Sequence, residues 1–462
     1  MMNLTEDNRY DVIICGGGPS GVAAAIAAAR NGAKTLLIER YGFCGGMATA
    51  ALVNPFSGHE YTTADGTKNG SLIGGIFKEI IQNLNDKGGY GSVLSPTTFD
   101  EELLKIIYDQ MLLEAGVNIK YHSIIKAIKI EGNEITSVEV YSKEGVKDFY
   151  GRIFIDCTGD GDIAAKAGVE ITVGRPEDGL TQAMTVSFRM ANVDKADMVN
   201  TGHIRKARAL VEPYFQEALS NGSLVYPYRS FIHFYDYPRD GVLHFNMTRI
   251  NEVSGLSVDD LTKSEIEGRR QAYLIAEWLI KNVPYFKKSS IEKIACQVGV
   301  RETRHIKGLY VMTQDDIRYG SKFEDAIVRS RYFIDIHNPK GAHDVQQQKG
   351  TSGVLNHDFA PNPGDYYEVP YRSIVSYECN NLLVPCRALS ATHEASAAIR
   401  VMATMHGLGE AAGIAAVLCI DKGLQVYELE GTKVRSQIPY LNESPDFDVL
   451  WEAKCGYPWS DS

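Results

Sequence analysis

The sequence predicts an α/β fold: a central parallel sheet carrying a β-meander, with a mostly β (α+β) domain inserted between its halves. Three observations predict it. A short apolar run, Tyr10 to Cys15, breaks into glycines and then into the alanine-rich segment Val22 to Ala29, which reads as strand, tight turn and helix. A second apolar run, Lys34 to Ile38, follows at once, as a βαβ start requires. The texture then changes near residue 170 and returns near 370, the mark of an insertion.

The opening unit carries the clearest chemistry. Gly16, Gly18 and Gly21 fit G-x-G-x-x-G, in which the first glycine makes the turn, the second admits a pyrophosphate and the third lets helix and strand pack closely. Free N–H groups at the helix start then face an anion. Asn31-Gly32 ends the helix, and Glu39 closes the second strand eighteen residues after Gly21, where an acid holds an adenosine ribose and disfavours a 2′-phosphate. An ordinary βαβ unit that binds nothing is the competing reading, and spacing, flanks and acid together argue against it.

After Glu39 the stretch Arg40 to Thr49 contains Gly45-Gly46, a second backbone surface for the dinucleotide or else a surface loop. Residues 71–87 read as a helix, and Thr98-Phe-Asp-Glu101 as a capping box that opens another, running from Leu103 to Leu113. Ile119 to Tyr121 reads as a third parallel strand. Alternating runs at 124–130, 135–141 and 147–150 form the meander, which leads into a buried strand, Arg152 to Cys157, a glycine turn to Gly161 and a short helix to Ala167.

Strands at Leu180 to Met190, Ser230 to Tyr235 and Val242 to Ile250, with helices at 195–220 and 260–282, are predicted for the insertion. Its aromatic stretch (Tyr226, Tyr228, Phe231, His233, Phe234, Tyr235 and Tyr237, with Arg229 and Arg239) reads as a half-buried strand pair or as a substrate lining. Asn381 to Arg387 returns as a buried strand. The helix Met402 to Leu418 carries Gly407, Gly409 and Gly413 as a face pressed against the sheet.

Composition bounds the rest. Of 462 residues, 44% are apolar and 23% charged, with a net charge of −11 and no basic run, which argues against nucleic acid or an anionic membrane as partner. No signal peptide or membrane span is read, and a cytoplasmic location is expected. The eight cysteines show no Cys-x-x-Cys pair or His cluster at metal spacing, so neither a metal site nor a disulfide framework is expected.

Together these segments resemble the FAD-dependent oxidoreductases, a bacterial group related to fumarate reductase and succinate dehydrogenase flavoproteins. The specific pieces are Gly16 to Gly21, Glu39 with Gly45-Gly46, Asp156 to Asp162, Arg301-Glu-Thr-Arg304, Phe333-Ile-Asp-Ile-His337 and Arg387 to Met402. The resemblance implies a Rossmann-like domain holding FAD non-covalently. Gly16, Gly18 and Ser20 would hold the pyrophosphate and Glu39 the adenosine ribose, with Pro19, Gly21 and Arg40 among the cofactor-binding residues. Gly45, Gly46, Met47, Ala48 and Thr49 would serve the ribityl chain and flavin edge. Ile124 or Ile125 would meet the adenine, and Thr158 and Gly159 would lie beside the adenosine half. Ile399, Arg400, Val401, Met402 and Thr404 would bring a helix start to the flavin pyrimidine. Arg387 stands where many relatives carry an acid, and pairing with the pyrophosphate is one role open to it.

The function expected is hydride transfer between flavin N5 and a small organic substrate that can carry a carboxylate, with an unknown electron acceptor or donor, since no second fingerprint for a nicotinamide cofactor is present. The alternative is a lyase, hydratase or isomerase whose FAD is not turned over. Catalytic candidates are Arg301 and Arg304 for a carboxylate, His337 and His393 for proton transfer, and Cys44 near the ring. Each has a structural rival: pairing of the arginines with Glu302 or neighbouring acids, a satisfied core histidine, a packing cysteine. Residues 1–57, 96–168 and 370–420 are expected to form the FAD domain, 58–95 a connecting cap, 170–368 the substrate domain and 421–462 a C-terminal extension. The active site is placed between the two domains, where the Gly45-Gly46 loop, Ser390 to Arg400 and Arg301 to Arg304 converge.

Overall fold

In the computed structural model residues 8–63, 69–224, 231–341 and 359–445 are described. The main sheet has seven strands in the order Asn118–Lys120, Thr35–Ile38, Arg9–Cys15, Gly145–Asp156, Glu134–Ser142, Ile124–Glu131, with Leu382–Leu383 added beside Gly145–Asp156. The first four run parallel, the first three joined by helix-bearing crossovers and the fourth reached through the antiparallel meander that the last three form. The meander's third run and the buried strand after it are one element. Gly145–Asp156 pairs with the meander along its first half and, from Tyr150 onward, with the opening strand along its second. Where the meander leaves that edge, Leu382 and Leu383 take it over opposite Phe154 and Ile155. Asn381 splices the two: its amide bonds to the Ile135 N–H and C=O at 2.9 and 2.8 Å and to Arg152 C=O at 3.0 Å.

Two helices cover one face, Pro19–Arg30 and Met402–Lys422, both rich in small residues and buried along most of their length. The glycines of the second were expected to press on the sheet, but Gly409 and Gly413 press on the first helix and Gly407 on Val328 and Tyr440. A Cβ at Gly409 would lie 2.0 Å from the Ser20 carbonyl oxygen, and one at Gly413 would lie 2.4 Å from that of Ala24. Met402–Lys422 is also long and apolar enough to meet the criteria of a membrane span, which the sequence reading passed over; 83% of its most apolar window is buried within the protein.

Glu101–Glu114 begins at Asp100, not at Thr98. The Asp100 side chain accepts from the N–H groups of Glu102 and Leu103, while the Thr98 hydroxyl turns back to the Ser95 carbonyl at 2.8 Å. The carboxylate is the stronger acceptor for helix N–H groups.

The insertion holds a four-stranded antiparallel sheet in the order Phe234–Asp236, Leu243–Phe245, Phe188–Ala191, Ser290–Ile294. Its strands are shorter than the sequence pattern suggests, and helices of 17 and 25 residues, Ile204–Ser220 and Val258–Asn282, dominate it. Beyond the strands the apolar alternation continues as isolated pairings, Met184 with Ile250 and Thr185 with Gly299, and Met184, Val186 and Ile250 pack in a separate cluster with Leu52 and Val298. Tyr226, Tyr228, Arg229 and Ser230 lie outside the described residues. The helix Gly75–Asp86 and the strands Ala326–Ser330 and Tyr367–Pro370 bury their apolar residues in the core of the main sheet.

A buried ion cluster ties the second sheet to the first unit. Arg189 makes a two-bond pair with Glu101 at 2.6 Å on each side, and Tyr237 and Lys293 donate to the same carboxylate at 2.7 and 3.0 Å.

Candidate active site

One elongated cavity, about 1800 Å³ of empty space with its mouth included, runs from the carboxyl ends of the parallel strands to the wall of the insertion. At its first end Gly16, with φ +108°, turns the chain; a Cβ there would stand 2.5 Å from the Cys157 carbonyl oxygen. Gly18 has open space at that position and lines the cavity with Gly16, Pro19 and Ser20. Gly21 does not line it: a Cβ would meet the Gly16 carbonyl oxygen at 1.9 Å, so this glycine serves the contact of helix and turn.

Glu39, buried at the end of its strand, accepts the Gly17 N–H at 2.7 Å and the Tyr41 N–H at 2.9 Å, one on each oxygen. Burial raises its pKa against those two hydrogen bonds and the nearby Arg40. Each oxygen retains a lone pair for a further donor. Arg40 donates to Gln297 Oε1 at 2.5 Å, and Ile124 and Ile125 line the same end.

Farther along, Thr158, Gly159, Asp160 and Asp162 line the cavity on a turn anchored from below. The buried Asp156 accepts from Thr158 Oγ1 at 2.7 Å and from the N–H groups of Thr158, Ile163 and Ala164. Arg387 lies over Gly159 and donates to Asp160 at 2.5 Å, while its buried Nε has no partner among the described residues. Arg304 was expected to face substrate. Instead its guanidinium grips the outside of this turn, bonding Asp162 at 2.8 Å and the Asp160 carbonyl at 3.0 Å, because its strand pairs with Ile171–Val173.

Gly46 and Met47 line the cavity, while Gly45, Ala48 and Thr49 stand behind them. Gly45, at φ +114°, donates its N–H to the Gly17 carbonyl at 2.7 Å. Cys44 does not reach the cavity. It is buried behind the loop, 3.5 Å from the Tyr121 hydroxyl, and burial pushes its thiol pKa far up, which keeps it in the neutral thiol form. At the far end Arg400, Val401 and Met402 line the cavity; Ile399 and Thr404 are buried beside it, and Thr404 Oγ1 has no partner among the described residues.

Between residues 185 and 337 the lining includes Thr185, Tyr235, Asn246, Gln297, Val300, Arg301, Tyr332, Asp335 and His337. Arg301 donates from Nη1 to the Ala183 carbonyl. His337 Nε2 lies 3.2 Å from Asp335 Oδ2, and the Tyr332 hydroxyl donates to the same oxygen at 3.2 Å. Burial alone would raise the Asp335 pKa, yet His337, Arg400 and Arg301 hold it well below the usual carboxylate range. His393 falls outside this group. It lies buried at the start of its helix, 2.9 Å from Glu302 Oε1, and His305 takes the same carboxylate at 3.2 Å. Burial would raise the Glu302 pKa too, but the two histidines bring it to about 2. His393 therefore positions the helix that ends at Arg400.

The sequence reading gave no role to Asp160, Asp162, Asn246, Tyr332 or Asp335. Asp335 was within reach, since Phe333-Ile-Asp-Ile-His337 puts acid and histidine two apart in an extended segment, hence on one side of the chain.

The sequence model of a family described as FAD dependent oxidoreductase matches residues 11–438. The chain is 26% identical over 197 residues to the digeranylgeranylglycerophospholipid reductase of Picrophilus torridus, a match covering 40% of this chain and 48% of that protein. The Thermoplasma acidophilum protein of the same name is 25% identical over 196 residues, again 40% and 48%. The chain thus spans about half the length of the curated relatives it matches. Among solved structures, a geranylgeranyl bacteriochlorophyll reductase-like protein from Thermoplasma acidophilum aligns over 97% of this chain and 95% of its own, at 13% identity and a TM-score of 0.44.

Proposed function

The chain belongs to the FAD dependent oxidoreductase family, and we propose that it transfers a hydride between the flavin and a small polar substrate held against the inserted wall. The observation that carries this reading is the continuity of the cavity, from Glu39 through Gly18 and Arg387 to the Tyr332, Asp335 and His337 wall. The residues present fit the cofactor: an acid with spare lone pairs for a ribose, an open glycine and the unpartnered Arg387 Nε for a pyrophosphate, and a helix start at Val401 and Met402 for the ring. Bound FAD supplies the two-electron chemistry. Arg301 and Arg400 orient an anionic substrate, and the polar wall holds it in register. The division into a cofactor unit (1–57, 96–168, 370–420) and a substrate unit (170–368) puts every wall residue from Thr185 to His337 in the second unit. The narrower kinship with fumarate reductase flavoproteins rests on the quoted motifs alone. The two sequence relatives named above carry the name digeranylgeranylglycerophospholipid reductase. Thr185, Asn246, Gln297, Arg301, Asp335 and His337 stand in the wall beside Tyr235, Val300 and Tyr332, and a polar substrate would match the first group.

The purified protein should be yellow and should release FAD into the supernatant on acid precipitation. Glu39→Lys should lose FAD, because a carboxylate facing a ribose becomes a positive donor. Colourless protein that takes up no FAD would overturn the reading. A substrate that turns over without ever bleaching the flavin under anaerobic conditions would instead make this a lyase or isomerase.

A further inference from the structure

Three side chains at the far end of the cavity, Asn246 and Asp335 from the 170–368 stretch and Arg400 from beyond it, keep hydrogen-bonding atoms uncommitted among the described residues. Asp335 receives both Tyr332 and His337 on Oδ2, each at 3.2 Å, leaving Oδ1 open. Asn246 accepts from Thr185 at 3.2 Å on its oxygen, leaving its amide donors. Arg400 directs Nη2 to Gln182 Oε1 and the Asp335 carbonyl at 3.4 and 3.3 Å, and its buried Nε has no partner. The Arg400 Nη2 and Asp335 Oδ2 atoms are 3.7 Å apart, so a cation and an open carboxylate oxygen stand side by side in one cavity.

We infer that this site recognises an acid bearing an N–H or O–H donor on the carbon next to its carboxylate, that is, a 2-amino or 2-hydroxy acid. In such a molecule the two groups sit on adjacent carbons, which matches neighbouring anion- and donor-accepting groups on the wall. The ligand carboxylate meets the Arg400 guanidinium, with Asn246 as a further donor, and the neighbouring N–H or O–H meets Asp335 Oδ1. A simple acid satisfies only half of this arrangement, because its carboxylate faces an ionised Asp335 with no donor between them. A simple cation leaves the guanidinium unmatched. The inference rests on the flavoenzyme reading above and names the substrate class of that same site.

The test uses the FAD-loaded protein in its oxidised form, titrated at fixed ionic strength with acetate, glycolate, glycine and trimethylglycine while the flavin absorbance is followed. Glycolate or glycine should bind at least about tenfold more tightly than acetate, a difference near 1.4 kcal/mol, and whichever does so identifies the donor as O–H or N–H. Trimethylglycine, which lacks the donor, should bind no better than acetate. Asp335→Asn should erase the preference, and Arg400→Gln should weaken all ligands about tenfold or more. Acetate or trimethylglycine binding as tightly as both donor-bearing acids would overturn the inference, as would a preference that survives in Asp335→Asn or a flavin that responds to none of the four. The trimethylglycine comparison needs no variant, so a poorly folded Asp335→Asn protein would not shield the inference. FAD content is measured first: wild-type protein without FAD would sink the flavoenzyme reading itself, whereas FAD-loaded protein indifferent to these acids sinks only the substrate class.

Discussion

Arg249 Nη2 stands 3.0 Å from His337 Nδ1. A guanidinium has only donors, so Nδ1 is the acceptor, and the ring proton sits on Nε2 facing Asp335. Both nitrogens are thus committed, and His337, a proton-transfer candidate from the sequence, is a neutral brace of the wall. Burial first, and then the Arg301 charge, push its pKa well below the ordinary value.

The consequence for stability has a definite sign. The unfolded chain protonates His337 below roughly pH 6.5 while the folded chain does not. Its share of stability is therefore present above that pH and falls away as the pH drops below it. Imidazole ¹⁵N shifts should show an Nε2–H tautomer that does not titrate between about pH 5 and 8, and Arg249→Met should raise the pKa and lessen the acid loss seen in urea unfolding.

Glu410 titrates in the opposite sense. It accepts the Ile76 N–H at 3.2 Å at the start of Gly75–Asp86, and burial raises its pKa to about 7, with Glu79 adding to the rise and Arg30 opposing it. The folded chain holds this proton between the ordinary carboxylate range and that value, so the stability it contributes at low pH is lost as the pH rises through about 7. Glu410→Gln should leave stability near pH 4 unchanged and raise it at pH 8 by up to about 3 kcal/mol, measured by denaturant unfolding at both.

Arg189 and Glu101 are each only 2% exposed. Arg189→Met leaves a buried carboxylate facing only Lys293 and Tyr237 and should cost about 3–5 kcal/mol in thermal unfolding. Adding Glu101→Met should cost less than the two single losses summed, because the second change removes the stranded charge.

Gly409→Ala should lower the unfolding temperature and the FAD content together. Its Cβ would lie 2.0 Å from a backbone oxygen of the helix that starts at the nucleotide turn, and forced separation of packed elements costs about 1–3 kcal/mol or more. Unchanged thermal stability would mean that the two helices can slide apart freely.

The opening βαβ unit was legible because its signals are local. Gly16, Gly18, Gly21 and Glu39 act through turn geometry and strand length, which the chain itself dictates. Asp100 displaced Thr98 as a cap through competition between neighbours, which spacing alone does not rank. Arg301 and Arg304 were indistinguishable on paper; the pairing of Arg304–Ile306 with Ile171–Val173 turned one of them away from the cavity. Cys44 and His393 lie off the cavity lining for a related reason: spacing along the chain places them near it, while long-range packing decides which side of the backbone they occupy. Asn246 comes from one segment and Tyr332 and Asp335 from another nearly ninety residues on, and only the folded chain lines one cavity with both.

The strand order also sets a timetable. Pro19–Arg30 lies against Met402–Lys422, and Gly145–Asp156 is completed by Leu382 and Leu383, so the earliest helix waits for one of the last. At ~5–20 residues per second, ribosomal synthesis of the intervening chain takes on the order of tens of seconds. Throughout that interval the alanine-rich face of the first helix has no cover, and the nascent chain presents Gly18 and Glu39 without Arg387 or Arg400. The half-site that Gly18 and Glu39 begin is therefore completed only by residues from the other end of the fold, Arg387 and Arg400.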